Sequence, residues 1–200
     1  MAYSLDPISD NCYPGTTVLV NKLNIRDEAA LNDVEATIVS AKTALWMDNP
    51  MQRNFDFTHY KAIHRFLFED IYDWAGQIRA VNISKKGTRF CPPENIETQA
   101  DLIFARLLDR KLYANLERRE FISEIVEFYC ITNDLHPFRE GNGRTQRIFI
   151  TQLINNAGYE FDFADVDGDI LMIATIQAAN GVTDLLRGLF EELIKEEQNR

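Results

Sequence analysis

Twelve consecutive residues carry most of the chemistry in this chain: His136, Pro137, Phe138, Arg139, Glu140, Gly141, Asn142, Gly143, Arg144, Thr145, Gln146 and Arg147. They include a histidine, a carboxylate, an amide, two glycines and three arginines, none of which a stable core requires. Pro137 disfavours helical backbone at His136, so a preceding helix should end there and place the imidazole at its C-terminus. Gly141 and Gly143 predict a sharp turn and a close approach of backbone to a ligand. With Asn142 between them, the N–H groups that open the next helix form an anion cradle. Arg144 and Arg147 lie three apart on that helix's first turn, where the helix dipole disfavours cations. Two arginines at such an end make sense when a polyanion binds between them, and guanidinium forks match phosphate oxygens. Glu140 adds a carboxylate beside the cradle, and magnesium is commonly held by one or two carboxylates plus substrate phosphates. Base, metal ligand, anion cradle and phosphate clamp are the parts of a phosphoryl- or nucleotidyl-transfer site.

Helices must hold this loop. Phe121, Ile125, Phe128, Tyr129 and Thr132 line one face of a helix leading to His136, and Ile148, Phe149, Leu153 and Ile154 one leaving Arg147. Earlier, the spacing of Ala30, Leu31, Val34, Ile38, Ala41, Ala44 and Leu45 predicts a helix ended near Asn49-Pro50. A second helix is expected from Asp56 and Thr58, through Tyr60, Ile63, His64, Leu67, Phe68, Ile71, Tyr72 and Trp74, to Gly76. Further helices fit 94–115, 167–180 and 182–196, with a short extended piece at Tyr159–Phe163. Residues 1–15 read as loop, and Lys195 to Arg200 as a frayed end. Ile78 to Ile83 alternates with period two, Ser84-Lys85-Lys86-Gly87 is a turn, and Thr88 to Cys91 returns. That hairpin, about 78–92, must lie on something, because an isolated hairpin is marginal in water. The expected fold class is all-α, mainly a helical bundle, with a small β-hairpin, as one domain over residues 1–200.

Composition limits the partners. A net charge of −10 argues against direct nucleic-acid binding by counterion release, so any anion site must be local. No apolar run is long enough to span a bilayer, and the N-terminus lacks a secretory signal, which predicts a cytoplasmic protein and no membrane partner. Cys12, Cys91 and Cys130 are odd in number and far apart, as in a reducing compartment, and no CxxC pair suggests zinc. His59 and His64 read as structural, Arg139 as a surface charge, and Asp165, Asp167 and Asp169 as a turn and helix start.

Residues 136–147 match HxFx(D/E)GNGRxxR at every defined position, and in this the chain resembles the Fic family. Residues 60–93, with Ile71-Tyr72-Asp73-Trp74-Ala75-Gly76 and the hairpin, resemble the Fic segment that ends in the active-site flap. Tyr13-Pro14-Gly15 and Asn21-Lys22-Leu23 resemble the start of toxin-type bacterial modules. The resemblance spans roughly residues 13 to 190 and implies a Fic fold and a reaction: AMP passes from ATP to a Ser, Thr or Tyr hydroxyl of a target protein, releasing pyrophosphate. It implies that His136 deprotonates the hydroxyl, Glu140 holds Mg2+, and Asn142 with Gly141 and Gly143 stabilises the α-phosphate. Arg144 would bind the β-phosphate, Arg147 the γ-phosphate, and Phe138 would anchor the loop. Doc relatives, which are kinases, have lysine at the position of Gly143, so glycine favours AMP transfer.

The flap residues Ile83, Ser84, Lys85, Lys86, Gly87 and Thr88 would pair with an extended stretch of the target. Many Fic proteins are blocked by a helix bearing (S/T)xxxE(G/N). Here the nearest match, Ser123 to Glu127, is followed by Phe128 and lies in the helix leading to His136. The resemblance therefore implies a class I toxin whose inhibitory glutamate comes from a separate small antitoxin, with a type II topoisomerase subunit as the expected target. Phosphoryl or phosphocholine transfer, AMP removal, and a non-catalytic nucleotide- or partner-binding regulator remain as alternatives.

Overall fold

Helix α5 (Asn142–Asn156) is buried almost all round, because Ile148 to Ile154, Thr151 and Gln152 included, are buried without a break. A helix with no solvent face belongs at the centre of a bundle. In the computed structural model, which describes residues 4–5, 11–48, 54–85 and 88–196, α1 (Glu28–Asp48), α2 (Phe57–Phe68), α3 (Ile96–Asp109) and α4 (Arg118–Leu135) precede it, and α6 (Gly168–Ala179) and α7 (Asp184–Leu193) follow. α2 and α4 pack directly on α5, α1 packs on α2, α3 on α4, and α6 and α7 on α4 and on each other. Phe149 of α5 is the hub, with ring contacts to Phe55, His59, Tyr60, Phe104 and Phe128. Burying one such aromatic side chain stabilises the fold by roughly 1.5–3 kcal/mol.

The described residues are mostly helical, as the apolar spacing predicts, and several boundaries differ for physical reasons. α1 buries Leu31, Glu35, Val39 and Trp46, not the stripe through Ala41 and Leu45, and Leu45 is exposed. Its inward face is thus shifted in phase and carries an acid. α2 stops at Phe68, eight residues before Gly76, and residues 69–76 form successive turns in which Ile71 and Tyr72 donate to the Phe68 carbonyl and Gln77 to that of Trp74. Those turns seat Ile71 and Tyr72 in the core just as a continuing helix would have, so apolar spacing could not tell the two apart. α3 ends at Asp109, and Lys111, Leu112 and Tyr113 take left-handed backbone in a tight turn.

The period-two run from Ile78 does not pair until its last residue. Only β2 (Ile83–Lys85) and β3 (Thr88–Arg89) form the antiparallel hairpin, with Ser84 opposite Arg89 and Lys85 opposite Thr88. Its support includes a strand within the segment expected to be loop: β1 (Ser4–Leu5) pairs antiparallel with β2, placing β2 centrally in a three-stranded sheet. At the other end, β4 (Tyr159–Glu160) pairs with β5 (Lys195–Glu196), so Lys195 and Glu196 are ordered, not frayed. Residues 197–200, Asn49-Pro50, and the turn residues Lys86 and Gly87 lie outside the described residues. Asp167 caps α6, accepting from the N–H groups of Asp169 and Ile170, as the helix-start reading requires.

Candidate active site

The loop between α4 and α5 is built from the inside out. His136 caps α4 in the left-handed region, with φ 41° and ψ 60°, and Pro137 prevents the helix from continuing. The Asn142 side chain then clips the loop shut: its Oδ1 accepts from the Phe138 N–H and its Nδ2 donates to the Phe138 carbonyl, both at 2.8 Å. Aspartate could not make the second bond, which is why an amide stands here. Phe138 is fully buried, stacked on His64 at 3.8 Å and on Tyr60 at 5.8 Å. Gly141 turns the chain into α5 with φ 80°, and a Cβ there would lie 2.3 Å from the Phe68 ring. Gly143 needs no such freedom. It is helical, and an added Cβ would meet only Arg147 Nη1, at 3.4 Å.

The His136 imidazole is held neutral. Its Nδ1 sits 2.9 Å from the Asn133 carbonyl, so that nitrogen carries the proton and the lone pair is on Nε2. Burial first, then the charges of Lys85 and Arg79, push the imidazole down to about 3. Phe90 stacks on the ring at 3.7 Å. His64 is structural but touches the site. The Gly76 N–H donates to its Nδ1, which leaves Nε2–H to donate to the Glu140 carbonyl at 2.9 Å, and burial holds it neutral.

The two arginines differ. Arg144 Nη2 lies 2.6 Å from Glu35 Oε1 of α1 and 3.7 Å from Glu140 Oε1, and its guanidinium lies 4.7 Å from the centre of the Phe68 ring. Its charge at the α5 N-terminus is thus matched within the chain. Arg147 has no ion pair among the described residues, and burial, then Arg144, hold its guanidinium below its usual value. Glu140 Oε1 also accepts from the Gly141 N–H at 2.9 Å. Asn142 is buried, so the group it can offer a phosphate is its backbone N–H at the helix start.

Arg79 fastens the hairpin to this loop. Buried, it donates from Nε to the His136 carbonyl at 2.8 Å, from Nη1 to Val81 at 2.7 Å, and from Nη2 to Cys91, while its own N–H donates to Pro137. Those bonds draw residues 78–82 out of strand pairing. Between hairpin, loop and α6 lies a cavity of about 440 Å³. Lys85, His136, Gly143 and Arg147 line it together with the apolar Phe163, Leu171, Met172 and Ile176.

The structure therefore brings His136, Gly143 and Arg147 to one cavity and places Glu140 and Arg144 on the same loop-to-helix junction. Ile83, Ser84 and Lys85 form β2, with Lys85 at the cavity, and Thr88 opens β3. Arg139 is no surface charge: it is buried, and its Nη2 reaches Cys12 Sγ at 3.8 Å. Glu124 and Glu127 of the partial inhibitory match pair with Arg106 and Arg110 at the end of α3, the Glu124 side chain largely buried there. Sequence reasoning missed Glu35, Arg79 and Phe90. Only Glu35 left a signal, an acid midway between Leu31 and Val39 on the inward stripe.

The sequence profile of the Fic/DOC family matches residues 54–154. A probable protein adenylyltransferase of Sinorhizobium fredii is 40% identical over 177 residues, 88% of this chain and 89% of that protein. One of Escherichia coli is 33% identical over 92% of this chain and 91% of its own length. Protein adenylyltransferase VbhT of Bartonella schoenbuchensis is 36% identical over 96% of this chain, which spans 40% of VbhT. The crystal structure of BepC from Bartonella tribocorum with bound AMPPNP superposes with a TM-score of 0.87 at 26% identity, covering 94% of this chain and 97% of that one. With relatives of that name matching most of its length, the chain is an enzyme of the protein adenylyltransferase kind and belongs to the Fic/DOC family.

Proposed function

We propose that the chain transfers AMP from ATP to a Ser, Thr or Tyr hydroxyl of another protein. The observation that carries this is the neutral, Nδ1-protonated His136 in the lining of a cavity that Arg147 also lines. The hydroxyl oxygen attacks the α-phosphorus, the bond to the bridging oxygen of the β-phosphate breaks, and pyrophosphate leaves. Nε2 of His136 accepts the hydroxyl proton. Backbone N–H groups of Asn142 and Gly143 face the α-phosphate, Arg144 takes the β-phosphate and Arg147 the γ-phosphate. The apolar lining residues Leu171, Met172 and Ile176 suit the base. BepC, solved with AMPPNP, supports ATP as the donor.

Glu140 fits a magnesium ion held jointly with substrate. It is a single carboxylate, and no cluster of three metal-binding side chains exists among the described residues, so phosphate oxygens and water must complete the shell. A bound magnesium would neutralise charge on the α- and β-phosphates; the protein's part is to hold Glu140 against Gly141. The hairpin residues Ile83 to Thr88 receive the target, by strand pairing. Control falls to a separate small antitoxin with an (S/T)xxxE(G/N) helix. Arg147, without an ion pair among the described residues, is a ready receptor for its glutamate. Type II topoisomerase subunits are the first targets to assay. His136→Ala should reduce transfer of labelled AMP to lysate proteins or topoisomerase at least ~100-fold, in line with the contribution of a general base; a variant as active as the parent overturns the reading.

A further inference from the structure

Arg144 is the one motif arginine already held by the protein. On one edge, Glu35 Oε1 stands 2.6 Å from Nη2; on one face lies the Phe68 ring. The Glu35 side chain is only 8% exposed, and its other oxygen accepts the Tyr72 hydroxyl, which burial keeps protonated. Tyr72 is itself stacked on Trp74 at 4.3 Å. A carboxylate fixed in this way does not wander, and neither does the guanidinium it holds. Nε and Nη1 of Arg144 make no hydrogen bond within the chain among the described residues, so two donors of the fork stay available to an anion. The counter-charge sits behind the fork, as a carboxylate sits behind a ligating histidine.

We infer that Glu35 is a positioning residue for the nucleotide's β-phosphate, acting through Arg144 from a helix outside the motif. The inference rests on the reading that Arg144 contacts the β-phosphate. It predicts selectivity by phosphate number, which a role in packing alone would not produce. AMP lacks the β-phosphate and should be indifferent to Glu35, whereas ADP and ATP should depend on it.

The test is calorimetric titration of the purified chain with ATP, ADP and AMP in the presence of magnesium. Glu35→Ala should weaken ATP and ADP on the order of 10-fold, the scale for losing a group that orients a ligand-binding side chain, and leave AMP unchanged. Arg144→Ala should show the same selective loss, and adding Glu35→Ala to it should cost nothing more. Glu35→Gln, which keeps a hydrogen-bonding oxygen without the charge, guards against misfolding of the alanine variant and should show a smaller loss of the same pattern. Equal weakening of AMP, or additive losses in the double variant, overturns the inference. If Arg144→Ala fails to separate ADP from AMP, the β-phosphate assignment itself is wrong, and the inference falls with it.

Discussion

An imidazole with an ordinary pKa of about 6.5 loses its lone pair to protonation just below neutrality. His136 escapes this because burial, Lys85 and Arg79 push it down to about 3. The base form is then present at every pH above that value, so kcat/KM for AMP transfer should stay flat from pH 8 to 5.5, as initial rates would show. The same shift has a stability cost in acid. Between about 3 and 6.5 the unfolded histidine binds a proton that the folded one does not, so stability falls as pH drops through this window. Thermal melts at pH 7.5 and 5 should differ less for His136→Asn than for the parent. His136, Glu140, Arg144 and Arg147 were legible because their meaning is local, twelve residues of one chain segment. Glu35 and Arg79 were not, since their partners lie far away in sequence and only packing brings them together.

Helices and turns were legible where a stripe of apolar residues meets one surface. α4 and α5 bury the residues their spacing marks, Phe121, Ile125, Phe128, Tyr129 and Thr132 on one and Ile148, Phe149, Leu153 and Ile154 on the other. The end of α2 did not, because the turns after Phe68 bury the same residues. The hairpin base did not either: Arg79 donates to the Val81 carbonyl, the Cys91 N–H goes to the Asp134 carbonyl of α4, and Pro92 has no N–H to give a ladder. At the start of α5 two glycines look equivalent in sequence and are not. Gly141→Ala forces a Cβ into Phe68 at positive φ and should destabilise the fold by about 2–4 kcal/mol, read as a lowered urea midpoint. Gly143→Ala has helical backbone and room, so its midpoint should stay within about 0.5 kcal/mol of the parent. Its methyl nevertheless faces Arg147 in the cavity, and ATP affinity should fall.

At the scale of the whole molecule, a net charge of −10 leaves the arginine-lined cavity as a local attraction for polyanions in an otherwise repelling field. No helix among the described residues is long and apolar enough to cross a membrane. The sheet beside the cavity has β1 on one side of β2 and β3 on the other. β2 therefore has no vacant edge among the described residues, and under the proposed docking by strand pairing on β2 a target segment takes the place of β1. Deleting residues 1–10 should lower the KM for a protein target without changing the affinity for ATP, as steady-state kinetics and nucleotide titration would separate. Under the proposed docking, Ser4–Leu5 is a competitor that the protein itself supplies, so target selection becomes a contest between two strands for one edge of β2.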